Sequence, residues 1–176
     1  MPLTRRTLLL SGLALGACVR VPASPEGPLA PITLDRAFDG KATGAGVFRV
    51  DLTGSERRFT ARLDSRLVGD RLTVVEDFFY DDGEENTLTW VFDRAGPGRW
   101  TGRREDTVGL AEVVETGTEI RLSYVADFRS GDDVTRLGFE DVIYFAPDGR
   151  VINDAIVTRL GIPVGRVRFE LQPRRP

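Results

Sequence analysis

Histidine is absent from this chain of 176 residues, and cysteine and lysine occur once each, as Cys18 and Lys41. The lack of histidine excludes a Ser-His-Asp triad, a Cys-His dyad and every metal site that needs an imidazole ligand. A single cysteine cannot form a disulfide within one chain. Carboxylates, tyrosine, arginine and Lys41 are the side chains left for catalysis. We therefore predict no metal site, no cofactor and no enzymatic activity, with a carboxylate-dependent enzyme as the alternative.

The chain also lacks a concentrated excess of positive charge. It carries 24 Lys and Arg residues against 27 Asp and Glu residues, a net charge of −3, and the basic residues are scattered among acids. Nucleic-acid binding requires a clustered basic surface. We therefore expect no nucleic-acid partner.

No apolar run is long enough to span a bilayer. The longest, from Leu8 to Ala17, has ten residues, whereas a membrane-spanning helix needs about 20. Arg5 and Arg6 precede this run, which is the layout of a secretion signal over residues 1–17. Its end, Leu15-Gly16-Ala17-Cys18, resembles the cleavage box of bacterial lipoproteins. The resemblance implies that Cys18 becomes the first residue of the mature protein and carries lipid, including palmitate.

The residues around this box bear on export and location. Residues 4–9, Thr-Arg-Arg-Thr-Leu-Leu, are similar to a twin-arginine export signal, and the general secretion route remains the alternative. Val19 is not acidic, which in proteobacterial lipoproteins favours the outer over the inner membrane. We expect a lipid-anchored protein of the cell envelope that faces the periplasm. Residues 18–31 contain four prolines and predict an extended tether, followed by a single domain over residues 32–176.

The remainder of the chain alternates between apolar and polar residues with a period of two. Leu72, Val74, Glu76, Phe78 and Tyr80 share one face of a predicted strand, and turn signals recur about every ten residues. About ten strands with short loops favour antiparallel pairing, and a barrel hides the strand edges. We predict an all-β antiparallel up-and-down barrel of about 8–10 strands, with a two-sheet sandwich as the alternative.

Three local features complete this prediction. Residues 32–38 are expected to form a short helical turn. Two short strands are expected at 100–106 and 108–115, around Thr107. Gly102, Gly109, Gly138 and Gly165 lie within strand patterns and are expected to mark bends or close packing.

Several motifs together resemble an uncharacterised family of proteobacterial lipoproteins, domain of unknown function 3833. They include Phe38-Asp39-Gly40, the segment 76–83 (Glu-Asp-Phe-Phe-Tyr-Asp-Asp-Gly), Asp141-Val142-Ile143-Tyr144 and the segment 160–165 (Leu-Gly-Ile-Pro-Val-Gly). The resemblance implies a lipocalin-like barrel. Gly46-Val47-Phe48 is similar to the Gly-any-Trp motif of lipocalins, which implies that Arg166 or Arg168 packs on the Phe48 ring.

Two carboxylates fall in phase with apolar residues that face inward, Glu76 on one strand and Asp141 on another. A carboxylate inside a barrel loses its hydration and must pair or become neutral. Expected partners are Arg103, Arg104, Asn153 and Tyr124. The two acids can belong to a structural network, bind the polar part of a ligand, or act as an acid and a base.

Aromatic residues at strand spacing can line a cavity or fill a core. We predict a module that binds a lipid or a hydrophobic small molecule, and the alternative is an accessory lipoprotein with a filled core that acts through protein contacts, whose partner the sequence does not name. The candidate ligand-binding residues are Glu76, Phe78, Tyr80, Trp90, Trp100, Arg104, Tyr124, Phe139, Asp141 and Asn153.

One acidic segment needs a separate interpretation. Asp81, Asp82, Glu84 and Glu85 can ligate calcium through their carboxylates. The same residues, with Gly83, are typical of a solvated hairpin tip. We favour the hairpin tip.

Overall fold

The computed structural model describes residues 21–130 and 132–174. The predicted signal and lipidation residues, Arg5, Arg6 and Leu15-Gly16-Ala17-Cys18, lie outside these ranges. Among the described residues, no helix is long and apolar enough to cross a membrane. The elements in chain order are α1 (Leu34–Ala37), β1 (Lys41–Val50), β2 (Glu56–Val68), β3 (Arg71–Tyr80), β4 (Glu85–Gly96), β5 (Arg99–Arg103), β6 (Ala111–Glu115), β7 (Ile120–Ser130), β8 (Asp133–Phe145), β9 (Val151–Arg159) and β10 (Ile162–Pro173).

The ten strands form a closed antiparallel barrel. Each strand pairs with the next along the chain, and β1 pairs with β10 to close the sheet. The predicted up-and-down barrel is therefore confirmed, and the two-sheet sandwich is wrong. Closure satisfies the backbone hydrogen bonds of what would otherwise be two edge strands.

The short helix α1 closes one end of the barrel. Its residues Leu34 and Ala37 are buried, as is the preceding Ile32. The Ile32 amide donates to the Gly117 carbonyl at 3.0 Å, and the Leu34 amide donates to Glu115 Oε1 at 2.8 Å. We call this the closed end, and we call the opposite end, where the β1–β2, β3–β4 and β9–β10 turns lie, the mouth.

The segment before α1 also lies at the closed end. The Arg121 guanidinium donates to the Pro22 carbonyl at 3.2 Å and to Ser24 Oγ at 2.8 Å. Arg121 is near the start of β7, beside the β6–β7 turn. The predicted tether is therefore held on the barrel at Pro22 and Ser24.

β5 and β6 are shorter than expected. They have five residues each, and residues 104–110 form a loop where the sequence predicted strand. Gly109 belongs to this loop with φ +80°, a conformation that ends a strand, so its predicted place in a strand is wrong. The loop fills the mouth-side half of the wall between β4 and β7. Glu105 accepts a hydrogen bond from the Thr89 amide at 2.7 Å on one side, and Thr107 forms a β-bridge with Ala126 on the other.

Glycine at position 46 permits a close approach within the wall. A Cβ there would lie 2.3 Å from Phe59 Cζ and 2.8 Å from the Arg168 carbonyl oxygen. The Phe59 ring therefore crosses this position and packs on Phe169, with ring centroids 5.2 Å apart. A side chain at position 46 would displace the ring or the neighbouring strand.

The packing of Arg166 or Arg168 on Phe48, implied by similarity to lipocalins, is wrong. Phe48 lies opposite Val167 in the β1–β10 pairing, so the arginines on either side of Val167 point to the outer face. There Arg166 faces Asp51 at 3.6 Å, and Arg168 pairs with Asp154 at 3.1 Å.

Candidate functional site

A cavity of about 490 Å³ occupies the barrel interior and extends to the mouth, where Arg57, Phe128 and Arg129 are part of its lining. Nine of the ten predicted ligand-binding residues line this cavity, because inward alternation on β3, β4, β7, β8 and β9 carries most of them to the same space. They are Glu76, Phe78, Tyr80, Trp90, Arg104, Tyr124, Phe139, Asp141 and Asn153.

Trp100 is the predicted residue that does not line the cavity. Its side chain is 1% exposed and belongs to the packing of the closed end. The indole Nε1–H donates to Glu115 Oε1 at 2.9 Å, the same oxygen that accepts from the Leu34 amide. The Arg94 guanidinium lies 4.0 Å from the centre of the ring system. Trp100 faces inward as expected, but it lies at the level of α1, on the closed-end side of the cavity.

Arg104 is the centre of the polar cluster inside the barrel. Its guanidinium forms two hydrogen bonds to Asp106, at 2.7 and 3.1 Å, and its Nη1 lies 3.8 Å from Glu76 Oε2. The guanidinium also lies against the rings of Trp90, at 4.8 Å, and Tyr124, at 5.4 Å. Of the expected partners of Glu76, Arg104 is therefore the one that pairs with it.

The sequence assigns no role to Asp106 and offers both Arg103 and Arg104 as partners of Glu76, with Arg104 alone among the ligand-binding candidates. Arg103 ends β5 and is exposed, so it does not reach Glu76. The turn that brings Asp106 back to Arg104 depends on Thr107, whose hydroxyl accepts from the Arg104 amide at 2.9 Å and donates to the Arg104 carbonyl at 2.8 Å. The sequence Arg-Glu-Asp-Thr contains a turn signal that could have indicated this arrangement.

Asp141 and Asn153 form a second polar pair across β8 and β9. The Asn153 amide Nδ2 donates to Asp141 Oδ2 at 3.0 Å. The Oδ1 atoms of both residues are buried and have no hydrogen-bond partner among residues 21–130 and 132–174. Asp141 is 3% exposed. Asp141 and Asn153 thus line the cavity, and each has one covered acceptor oxygen without a donor.

Burial governs the protonation of both inward carboxyl groups. It raises the pKa of Glu76 to about 7, against the opposing effect of Arg104, and the charge of Asp141 raises it further. Burial also raises the pKa of Asp141 to about 7, against the hydrogen bond from Asn153 and the charge of Arg104. A raised carboxyl pKa means that the folded state binds more protons than the unfolded state between about pH 4 and 7. These two groups therefore lower the stability of the barrel as the pH rises through that range.

Aromatic rings form most of the wall around this polar cluster. Tyr124 and Phe139 are stacked, with centroids 4.7 Å apart and an angle of 6° between the rings. Trp90 meets Tyr124 edge-on at 5.1 Å, and burial raises the pKa of Tyr124, so its phenol stays neutral. Sequence reasoning missed Phe59 and Phe169 as lining residues, although both follow the same inward alternation.

The acidic hairpin 81–85 is tied to Arg57 at the mouth. The Arg57 guanidinium donates to Asp82 at 2.6 Å and to Glu84 at 2.7 Å, and it lies 3.8 Å from the Tyr80 ring centroid. Within the described ranges, no three acidic or other ligating side chains come close enough to hold a metal ion. Asp82 and Glu84 are therefore engaged in ion pairs at a hairpin tip.

Comparisons with known proteins agree with this architecture. A family described as "Protein of unknown function (DUF3833)" matches residues 13–172. No curated protein matches the chain. A solved structure, the S-type phycobiliprotein lyase CPES from Guillardia theta, is similar with a TM-score of 0.56 and 11% sequence identity, over 82% of this chain and 95% of that one. The likeness at this identity shows a shared lipocalin-like fold.

Proposed function

The chain belongs to the DUF3833 family of proteins of unknown function, and we propose that it is a lipid-anchored cell-envelope protein whose barrel binds a lipid or another hydrophobic small molecule. The observation that carries this proposal is the cavity of about 490 Å³ inside the barrel. Ligand sites usually enclose about 300–1,000 Å³ and combine an apolar wall with a few polar groups. The aromatic wall and the cluster around Arg104 have this composition.

The cavity also bears on the alternative of a filled core. A barrel that acts only through its outer surface needs no interior space, and interior voids cost stability because their lining atoms lose packing contacts. Here the layer at the closed end is filled by Trp100, Leu72, Val113 and Ile120, which are 0–1% exposed. Space remains on the mouth side, where an entering molecule can reach it.

The position of the N-terminal segment supports a definite orientation on the membrane. Lipid on Cys18 would be four residues from Pro22, which is held at the closed end by Arg121. Four extended residues span about 14 Å at most. The closed end would therefore face the anchoring membrane and the mouth would face the periplasm. Val19 favours the outer membrane for that anchor.

Binding inside the barrel is tested by filling the cavity. Ala155 is 4% exposed and lines the cavity on β9, so Ala155→Phe places a ring in the space that a ligand would occupy. We expect the fluorescent probe N-phenyl-1-naphthylamine to bind the full chain and to bind this variant about tenfold more weakly or worse. Val125→Phe adds the same ring at an exposed position and should bind as the unmodified chain does. Equal affinity of all three folded proteins would contradict an interior site.

The anchor is tested at the single cysteine. The full chain, expressed in a Gram-negative host, should yield a mature protein that begins at Cys18, carries acyl chains by mass spectrometry and sediments with membranes. Cys18→Ser should remove the acyl mass and release the protein from membranes, while circular dichroism of the barrel stays unchanged. Acylation elsewhere, or membrane association that survives the substitution, would exclude this anchor.

A further inference from the structure

We propose that the cavity selects its ligand through a protonated amine at the ligand's inner end, so that it takes apolar amines in preference to apolar carboxylic acids. This inference rests on the proposed function, because it names the class of molecule that the same cavity binds. It is carried by the unpartnered oxygens of Asp141 and Asn153, by the balance of charge in the cavity lining, and by the aromatic rings beside them.

The first argument concerns hydrogen bonding. Asp141 Oδ1 and Asn153 Oδ1 are buried without a donor among the residues that the structure describes, and a buried polar atom without a partner costs free energy. When Asp141 is ionised, the orientation of the Asn153 amide follows from its hydrogen bond to Asp141, because the opposite orientation would set two oxygens against each other. Both free atoms are therefore acceptors, and a ligand group that satisfies them must be a donor. An ammonium group offers three donors.

The second argument concerns charge. The cavity lining contains five carboxyl groups and three guanidinium groups, namely those of Glu76, Glu105, Asp106, Asp127, Asp141, Arg57, Arg104 and Arg129. Arg104 is committed to Asp106 by two hydrogen bonds and lies near Glu76, whereas the direct partner of Asp141 is the neutral amide of Asn153. A cation in the cavity would balance this excess of carboxyl groups. Beside Asp141 and Asn153 a carboxylate would meet further oxygen acceptors and lose its hydration without a donor in return, whereas the unpartnered Arg57 Nη1 lies at the mouth.

The third argument concerns depth and the rings. Inward residues along β8 run from Leu137 near the mouth through Phe139 to Asp141, so a ligand that reaches Asp141 lays its body against Phe139. Phe139 lines the cavity and is stacked on Tyr124, and aromatic rings attract ammonium groups. From the mouth inward, the lining of β8 is thus first apolar and then carries the carboxyl group of Asp141. A ligand with an apolar body and an amine at its inner end matches this order.

The test compares ligands that differ only in their head group. Dodecylamine, 1-dodecanol and tridecanoate, which share a twelve-carbon alkyl chain, compete with N-phenyl-1-naphthylamine for the full chain at pH 7.5, each at a concentration where it is monomeric in solution. Because the alkyl chains are equal, the hydrophobic contribution cancels. We expect the amine to bind about tenfold more tightly than the acid, with the alcohol between them.

Matched variants separate the effect of the cavity carboxylate on ligand preference from the effect of the overall charge of the protein. Asp141→Asn keeps the shape and removes the carboxylate, and it should reduce the preference for the amine to within about threefold. Asp154→Asn makes the same change on the outer face of β9, where Asp154 pairs with Arg168, and it should leave the preference intact. Glu76→Gln supplies a second interior variant if Asp141→Asn fails to fold.

The outcomes are distinguishable. Tighter or equal binding of tridecanoate, or an amine preference that persists in Asp141→Asn, overturns amine selection and leaves the hydrophobic binding module standing. Failure of the probe and of all three ligands to bind overturns both proposals.

Discussion

Replacing Arg104 with methionine is expected to lower the free energy of unfolding by about 3–5 kcal/mol at pH 8, because breaking a buried ion pair leaves charge without compensation. The guanidinium supplies two hydrogen bonds to Asp106 and the nearest positive charge to Glu76. Methionine preserves most of the apolar stem, so the loss reports mainly on charge. A domain of this size has a total stability of about 5–15 kcal/mol, and the variant would be close to unfolding.

The same variant should depend on pH in a defined direction. Burial already raises the pKa of Glu76 to about 7 in the presence of Arg104, and removing the guanidinium raises it further. At pH 5 the Glu76 carboxyl is then protonated and neutral in the folded state, so its share of the penalty disappears. We expect a smaller loss of stability at pH 5 than at pH 8.

Urea unfolding followed by circular dichroism at both pH values measures this difference. Arg103→Met is the matched control, because Arg103 is the exposed neighbour, and its stability should stay within about 0.5 kcal/mol of the unmodified chain. An Arg104→Met loss of the same size at pH 5 and pH 8 would mean that the residue acts through Asp106 or through packing and not through Glu76.

Replacing Trp100 with alanine is expected to cost about 3–5 kcal/mol of unfolding free energy, the usual loss for a large buried aromatic residue. The indole is 1% exposed and packs in the layer beneath α1. Its Nε1–H also shares Glu115 Oε1 with the Leu34 amide, so the substitution loosens the helix that closes the barrel. Urea unfolding measures the loss.

The milder variant Trp100→Phe separates stability from binding. It keeps most of the apolar contact and removes the hydrogen bond to Glu115, for an expected cost of about 1 kcal/mol. Since Trp100 lies outside the cavity lining, the affinity for N-phenyl-1-naphthylamine should not change. Trp90→Phe is the comparison, because Trp90 lines the cavity and its loss should weaken probe binding. Equal weakening by both variants would place Trp100 in the binding site.

The sequence by itself determined the class of fold and the side of the wall to which most residues point. Alternation along a strand is a local property of extended backbone, so the inward positions of Glu76, Phe139 and Asp141 could be inferred without knowing any neighbour. Short turns likewise imply antiparallel neighbours. For the same reason, eight of the ten candidate ligand-binding residues, all on strands, line the cavity as their alternation predicts.

Only the tertiary structure decided depth, partners and the space left inside. Alternation separates inside from outside but does not tell at which level along the barrel axis a residue lies, so Trp100 was grouped with the cavity although it packs at the closed end. The contact between Arg104 and Glu76 crosses from the 104–110 loop to β3, and it depends on a turn that bends Arg104 inward. The volume of the cavity depends on how ten strands close around the side chains, which no single segment of the sequence contains.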